Sequence, residues 1–248
     1  MRIGIIGAGN IGSAVARKLA TAGHSVKLAN SKGPESISTL ARDLGTIAVS
    51  KEEAVTDVDV VILSIPFAAY AGLTGLFRDV PDEVTVIDTS NYYPFRDGSI
   101  SAVESGMVES VWVSAQIGRP VVKAWNAVLA YTLSEQGQLG GTVGRIAVPV
   151  AGDDAKGMTI AMQLVNATGF DAIDAGKLEE SWRQQPGTPA YCTELTAVEL
   201  VAALAAASKE LAPVYRDVLI KEFMAARGDL THEVMVLRNR EATTGLKA

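Results

Sequence analysis

The chain opens on Arg2-Ile3-Gly4-Ile5-Ile6-Gly7-Ala8-Gly9-Asn10-Ile11-Gly12, an apolar run passing directly into G-x-G-x-x-G. Arg2–Ile6 has the pattern of a buried strand. Ile11, Ala14, Val15, Lys18, Leu19 and Ala22 then recur along one face of a helix expected over 11–22, with Gly23 as its C-terminal stop. In a strand–turn–helix setting the three glycines have separate tasks. Gly7 permits the tight turn, Gly9 lets the main chain approach a pyrophosphate, and Gly12 lets helix and strand pack closely. The pyrophosphate would rest on unpaired N–H groups where the helix dipole favours anions. The bland alternative is a glycine turn with a structural task only.

Outward from this turn, strands and helices alternate. Strands are expected at 25–29, 47–49, 58–65 and 84–88, and helices at 34–44, 51–56 and 67–77. Val60-Val61-Ile62-Leu63 reads as buried on both faces, as in a parallel sheet. The expected fold class is therefore α/β, a doubly wound parallel sheet of Rossmann type followed by a smaller, mostly helical region. Helical pattern resumes over 102–116 with a break at Gly106, and 121–125 reads as a sixth strand. A glycine-rich stretch at 137–144 suggests a division into a dinucleotide-binding domain, 1–130, and a C-terminal domain, 131–248, for substrate cleft and dimerisation. In the latter, strands at 146–151 and 170–174 flank a helix at 153–168, and 193–240 is helical. Leu195, Val198, Leu200, Val201 and Leu204 there need a covering surface, the first domain or a second copy.

Composition narrows the class. Of 248 residues, 48% are hydrophobic and 20% charged, ordinary for a globular protein and unlike a disordered tail or a disulfide scaffold. The formal net charge of -6 disfavours nucleic acid as a partner. Cys192 is the only cysteine, which removes intrachain disulfides and cysteine-based metal clusters and suits a reducing, cytoplasmic location. The N-terminal apolar run is too short for a signal peptide. The uncharged stretch 60–77 is interrupted by Ser64, Pro66, Gly72 and Gly75, so it reads as strand, turn and helix rather than a membrane span. His24 and His232 are too few for a metal site, and none is expected.

The end of the second strand selects the dinucleotide. An NAD site usually carries Asp or Glu there to accept from the ribose 2′-hydroxyl. This chain has Asn30-Ser31-Lys32, in which Asn30 and Ser31 can donate to a 2′-phosphate and Lys32 neutralises charge, favouring NADP(H). Asn30-Ser31 also suits a cap on the next turn. Ser64, Ile65 and Pro66 end the fourth strand and should line the cofactor path, with Asn91 beyond the fifth near the nicotinamide; each also suits plain turn chemistry.

Several stretches resemble the coenzyme F420-dependent NADP oxidoreductases: Gly7-x-Gly-Asn-Ile-Gly12, Leu19-Ala-x-Ala-Gly-His-x-Val26, Ala29-Asn-Ser-Lys-Gly-Pro34, Val148-Pro-Val-Ala-Gly-Asp-Asp154 and Asp174-Ala-Gly-Lys-Leu178. The resemblance spans residues 1–180 of the chain. It implies a Rossmann domain with a small C-terminal domain, commonly a homodimer, and hydride transfer between NADP(H) and the deazaflavin F420 with no obligatory catalytic side chain. By matching positions it makes Gly7, Gly9, Asn10, Ile11, Ser31, Lys32, Ile65 and Pro66 the NADP contacts.

Two stretches depart from the family. In Val121-Val-Lys-Ala-Trp-Asn126 the Lys-x-x-Asn unit is similar to the NADPH-binding domain of STEAP-type metalloreductases and, more distantly, to 3-hydroxyacid dehydrogenases. That resemblance implies Lys123 and Asn126 as catalytic residues, with Lys123 polarising or protonating a carbonyl oxygen. The plain alternative is a solvated strand end and a turn residue. The second departure is the polar loop 182–192, where Arg183, Gln184 and Tyr191 are candidates for substrate contact if the loop does more than pack. Two rival functions follow: an NADPH-dependent reductase of a small carbonyl or imine compound, and an NADP(H)-binding redox sensor without turnover.

Overall fold

The computed structural model describes residues 1–226 and 230–245; the parts of the expected 193–240 helices and 131–248 domain that fall on 227–229 and 246–248 lie outside the described residues. In chain order the elements are β1 (Arg2–Ile6), α1 (Asn10–Thr21), β2 (Ser25–Ala29), α2 (Ser38–Asp43), β3 (Ile47–Ala48), α3 (Lys51–Ala54), β4 (Val60–Leu63) and β5 (Thr85–Asp88). They continue with α4 (Pro94–Asp97), α5 (Ser101–Glu104), α6 (Glu109–Ile117), β6 (Val122–Lys123), α7 (Ala130–Glu135), β7 (Ala147–Val150), α8 (Ala155–Ala167) and β8 (Asp171–Asp174). The C-terminal helices are α9 (Ala197–Ala205), α10 (Ala212–Ala225) and α11 (His232–Gly245).

β1 to β6 form one parallel sheet in the order β3-β2-β1-β4-β5-β6. Strand order reverses between β1 and β4, so the crevice outside their carboxyl ends is the topological switch point. Both faces of the sheet are covered, as the unbroken apolar β4 requires. Val60 and Ile62 join Ile3, Val15 and Leu19 in one layer, and Val61 and Leu63 join Phe67, Tyr70 and Val113 in the other.

β7, α8 and β8 form a separate two-stranded parallel unit. An antiparallel bridge fastens it to β6: the Lys123 amide donates to Ala151 O at 2.7 Å, and the Ala151 amide to Lys123 O at 3.0 Å. Val148, Val150, Leu164 and Phe170 belong to the same apolar cluster as Ile3 and Leu28. The glycine-rich stretch 137–144 runs from the end of α7 to the start of β7.

Three expected elements differ in form. The 34–44 helix is a 3-10 turn, Pro34–Ile37, followed by α2, because Ile37 adopts a non-helical ψ of 11° while its side chain is buried. Over 67–77 the expected α-helix is a 3-10 helix, Phe67–Leu73. Its buried residues Phe67, Tyr70 and Leu73 recur every third position, which matches three residues per turn. The 121–125 strand pairs only over β6, since Trp125 turns to φ 56° and buries its indole, donating to Thr168 Oγ1 at 3.2 Å. Among the described residues no helix is long and apolar enough to cross a membrane.

Candidate functional site

The glycine turn closes over the switch point by main-chain contacts. Gly7 has φ 117° and donates its amide to Ala29 O at 2.8 Å; a Cβ there would lie 2.0 Å from Ser64 O. A Cβ on Gly12 would lie 1.9 Å from Gly7 O, so α1 can approach the turn only without a side chain. Gly9 is different: nothing lies within 4 Å of where its Cβ would stand. It is the N-cap of α1 in extended conformation, with no side-chain cap and no acidic residue in the first turn. The first-turn amides therefore keep free donors at the positive end of a 12-residue helix. This donor set and the open space at Gly9 fit the diphosphate of a dinucleotide.

The turn borders a cavity of about 720 Å³ that is also lined by Asn30, Ser31, Ser64, Ile65 and Pro66. Asn10, Ile11 and Gly12 stand behind it in the first turn of α1, and Lys32 lies exposed just past Ser31. Asn30 is committed to its own turn, donating from Nδ2 to Ser36 Oγ at 2.9 Å and accepting the Lys32 amide on Oδ1 at 3.0 Å. Of the three residues after β2, Ser31 and Lys32 are the ones left exposed. Ser50, Lys51 and Glu52 also reach the cavity, which sequence reasoning missed. The signal was the S-x-x-E of a capping box: Ser50 Oγ accepts the Glu53 amide at 3.1 Å and Glu53 accepts the Ser50 amide at 2.8 Å, which sets α3 beside the strand ends. A larger groove, about 940 Å³, opens around Arg2, Asp59 and Lys156 and contains no glycine-turn residue. Those residues flank the amino ends of the strands, away from the switch point where such folds bind ligands.

Beyond β5 the structure separates two residues that the sequence groups. Lys123 is 0% exposed, neither a solvated strand end nor a wall of the dinucleotide cavity. Side chains alternate along a strand, and with Val122 in the α8 layer Lys123 must point the other way, beneath α6. There its Nζ donates to Ser110 Oγ at 2.8 Å and Ser90 O at 3.1 Å, with Glu109 at 3.6 Å and Asp88 at 3.8 Å. Asp88 also accepts from Tyr70 OH, Ser90 Oγ and Ser110 Oγ, each at 2.6 Å. Burial pushes the Glu109 carboxyl up to about 7, with Lys123 opposing. Burial and the Asp88 carboxylate together hold Tyr70 well above the ordinary phenol value.

Asn126, 2% exposed, belongs to a different cluster. Its Nδ2 donates to Asn91 Oδ1 at 3.0 Å and Gln184 O at 2.8 Å, while its Oδ1 accepts from Gln184 Nε2 at 2.8 Å. Asn91 Nδ2 donates to Asn126 O at 2.8 Å and to Tyr191 OH at 3.4 Å, and Tyr191 OH bonds to Tyr93 OH at 2.5 Å. Four candidates from three separate stretches, Asn91, Asn126, Gln184 and Tyr191, thus converge. Arg183 stays outside, paired with Glu180 and lying over the Trp182 ring.

The six-strand order and the open glycine turn at its switch point define a dinucleotide-binding protein of Rossmann type. Residues 2–92 match the family described as NADP oxidoreductase, coenzyme F420-dependent, and the chain belongs to that family. It is an NADP-dependent oxidoreductase. Protein YjhV of Escherichia coli (strain K12) is 40% identical over 100 residues, covering 40% of this chain and 73% of that one. The crystal structure of SMa0349, a hypothetical protein from Sinorhizobium meliloti, is similar with a TM-score of 0.67 and 30% identity, over 79% of this chain and 96% of that one. A crystal structure from Arthrobacter sp. FB24, assigned by name alone to the F420-dependent NADP reductases, shares the fold with a TM-score of 0.56 and 18% identity, over 86% and 90% of the two chains.

Proposed function

We propose that the chain transfers a hydride between NADP(H) and the deazaflavin coenzyme F420. One observation carries this reading over a carbonyl or imine reductase. Lys123 and Asn126, the side chains such a reductase would use, are buried and occupied by protein partners. Transfer between two ring systems asks the protein for binding and orientation, and leaves no bond to oxygen that needs a proton donor. When bound, NADPH supplies the hydride from its nicotinamide ring.

In this reading Gly7 and Gly9 bring main chain to the diphosphate, and the first-turn amides, at Asn10, Ile11 and Gly12, donate to it. Ser31 donates its hydroxyl and Lys32 its charge to the 2′-phosphate, while Asn30 shapes the turn that carries them. Ser64, Ile65 and Pro66 form the cavity wall along the cofactor path. Asn91, fixed by Asn126, stands at the nicotinamide end. The protein acts as a cytoplasmic homodimer; Val198 of α9, 82% exposed, and Val201, Val214 and Val218, also exposed, favour a second copy over the C-terminal helices.

Purified protein mixed with F420 and NADPH, followed by the visible absorbance of the deazaflavin, tests the reading. Bleaching with NADPH and not with NADH is the expected outcome. Tight NADPH binding without bleaching removes F420, and a screen of carbonyl and imine compounds then separates a reductase from a sensor.

A further inference from the structure

The loop 182–192 and the stretch 90–93 meet around Asn91, and α10 touches both. It meets the loop at Gly187. A Cβ there would lie 2.0 Å from Ala212 O and 2.7 Å from the Arg216 amide nitrogen, so the loop main chain rests directly on the first turn of α10. Gly187 also has φ 86°, a conformation that L side chains rarely adopt. Space and backbone both demand glycine at this contact.

The second contact comes from Arg216, four residues into the same helix. Its side chain is 13% exposed, and its guanidinium lies 5.8 Å from the centre of the Tyr92 ring. Tyr92 is 1% exposed, and its hydroxyl accepts the Ile100 amide at 3.1 Å and bonds to Glu104 at 2.9 Å. The ring also packs 5.4 Å from that of Phe67, which follows Pro66 of the dinucleotide cavity.

Asn91 stands between these supports. Tyr92 is its neighbour in the chain, and the Gly187 loop reaches it from both ends: Gln184 through Asn126, and Tyr191 directly at 3.4 Å. The loop is pinned at those ends, by Gln184 Nε2 on Asn126 Oδ1 at 2.8 Å and by the Cys192 amide on Ala127 O at 3.0 Å. A push at Gly187, in its middle, must therefore be taken up at Asn126 and Asn91 or by withdrawal of α10. The helix itself buries only Ala212 and Leu219, and neither belongs to the three apolar clusters. Burial of its own face does not account for so close a fit on one glycine.

We propose that α10 is a clamp, acting through Gly187 and Arg216, that holds Asn91 against the nicotinamide and sets the rate of hydride transfer without adding to NADP(H) affinity. Both are positioning residues, since neither lines the dinucleotide cavity. The inference rests on the placement of Asn91 at the nicotinamide end in the reading above, and not on F420 as the acceptor.

Three variants test it: Gly187→Ala, which forces loop and helix apart; Arg216→Leu, which removes the guanidinium; and Arg216→Lys, which keeps a cation for the ring. In single-turnover bleaching of F420 by saturating NADPH, Gly187→Ala should be slower by about a hundredfold and Arg216→Leu by about tenfold, because small misplacements of reacting groups are costly. Arg216→Lys should stay within about threefold of the wild type. By fluorescence titration every variant should bind NADPH within about twofold of the wild type. The fluorescence anisotropy of bound NADPH should fall in Gly187→Ala and Arg216→Leu, as the nicotinamide loses its support. That readout needs no acceptor, so a wild type that leaves F420 unbleached refutes the F420 reading while the clamp is still judged. Rates are taken well below each unfolding midpoint, and the Arg216 pair keeps the test if Gly187→Ala does not fold. Arg216→Leu with unchanged anisotropy, a loss of NADPH affinity that accounts for the slower rate, or no recovery in Arg216→Lys overturns the proposal.

Discussion

Replacing Glu109 by Gln should make the protein more stable at pH 8 and leave it nearly unchanged at pH 5. The carboxyl is buried beneath α6, and its folded pKa is about 7 against an ordinary 4.5. A raised carboxyl pKa means that folding favours the protonated form, so this contribution is fully present below pH 4.5. It is lost as pH rises through 7. The difference corresponds to about 3 kcal/mol, a large part of the stability of a domain. Gln keeps the shape and cannot ionise, so it escapes that loss. Urea unfolding at pH 5, 6, 7 and 8 should show a wild-type midpoint that falls across this window more steeply than the variant's. The gain at pH 8 should be near 3 kcal/mol, the attraction of Lys123 at 3.6 Å being already contained in the raised carboxyl value. If Glu109→Gln is instead destabilising at pH 8, or the two slopes are the same, the ion pair outweighs desolvation and the argument is wrong.

Gly12→Ala places a methyl 1.9 Å from Gly7 O; unfolding and fluorescence titration should show at least about 2 kcal/mol lost and NADP(H) binding abolished. Ser31→Asp sets a carboxylate where the 2′-phosphate is expected, so NADP(H) affinity should fall at least about tenfold while NAD(H) affinity holds, by the same titration. Lys123→Met removes the cation between Asp88 and Glu109 and should cost about 3–5 kcal/mol in urea unfolding. Its folded fraction should retain hydride transfer, which separates a structural lysine from a catalytic one.

The parallel sheet was legible because its strands are short, apolar and separated by glycine stops, and because β4 is unbroken. The open turn at Gly9 was legible for the same local reason. What escaped depends on partners distant in the chain. Asn126 meets Gln184 58 residues on, and Asn91 meets Tyr191 100 residues on, separations that no local pattern encodes. Lys123 shows the limit most directly. The sequence places it at a strand end, but whether its side chain meets solvent or interior is fixed by what lies over each face of the sheet. The 67–77 segment escaped because a buried residue every third position suits both an α-helix and the tighter 3-10 form over so short a run.

The reciprocal amide bonds between Lys123 and Ala151 bear on how the chain acquires its structure. β6 has only two residues in the large sheet, and its outer margin is occupied by the strand-and-helix unit that follows. A chain ending near residue 130 would present that margin bare, along with the patch that Val148, Leu164 and Phe170 cover. Synthesis therefore passes through a stage in which the first six strands exist without their cover. The chain should reach its native form in one cooperative transition only once residues to about 174 are available, and fragments divided at 126–144 should aggregate alone and recover solubility when expressed together.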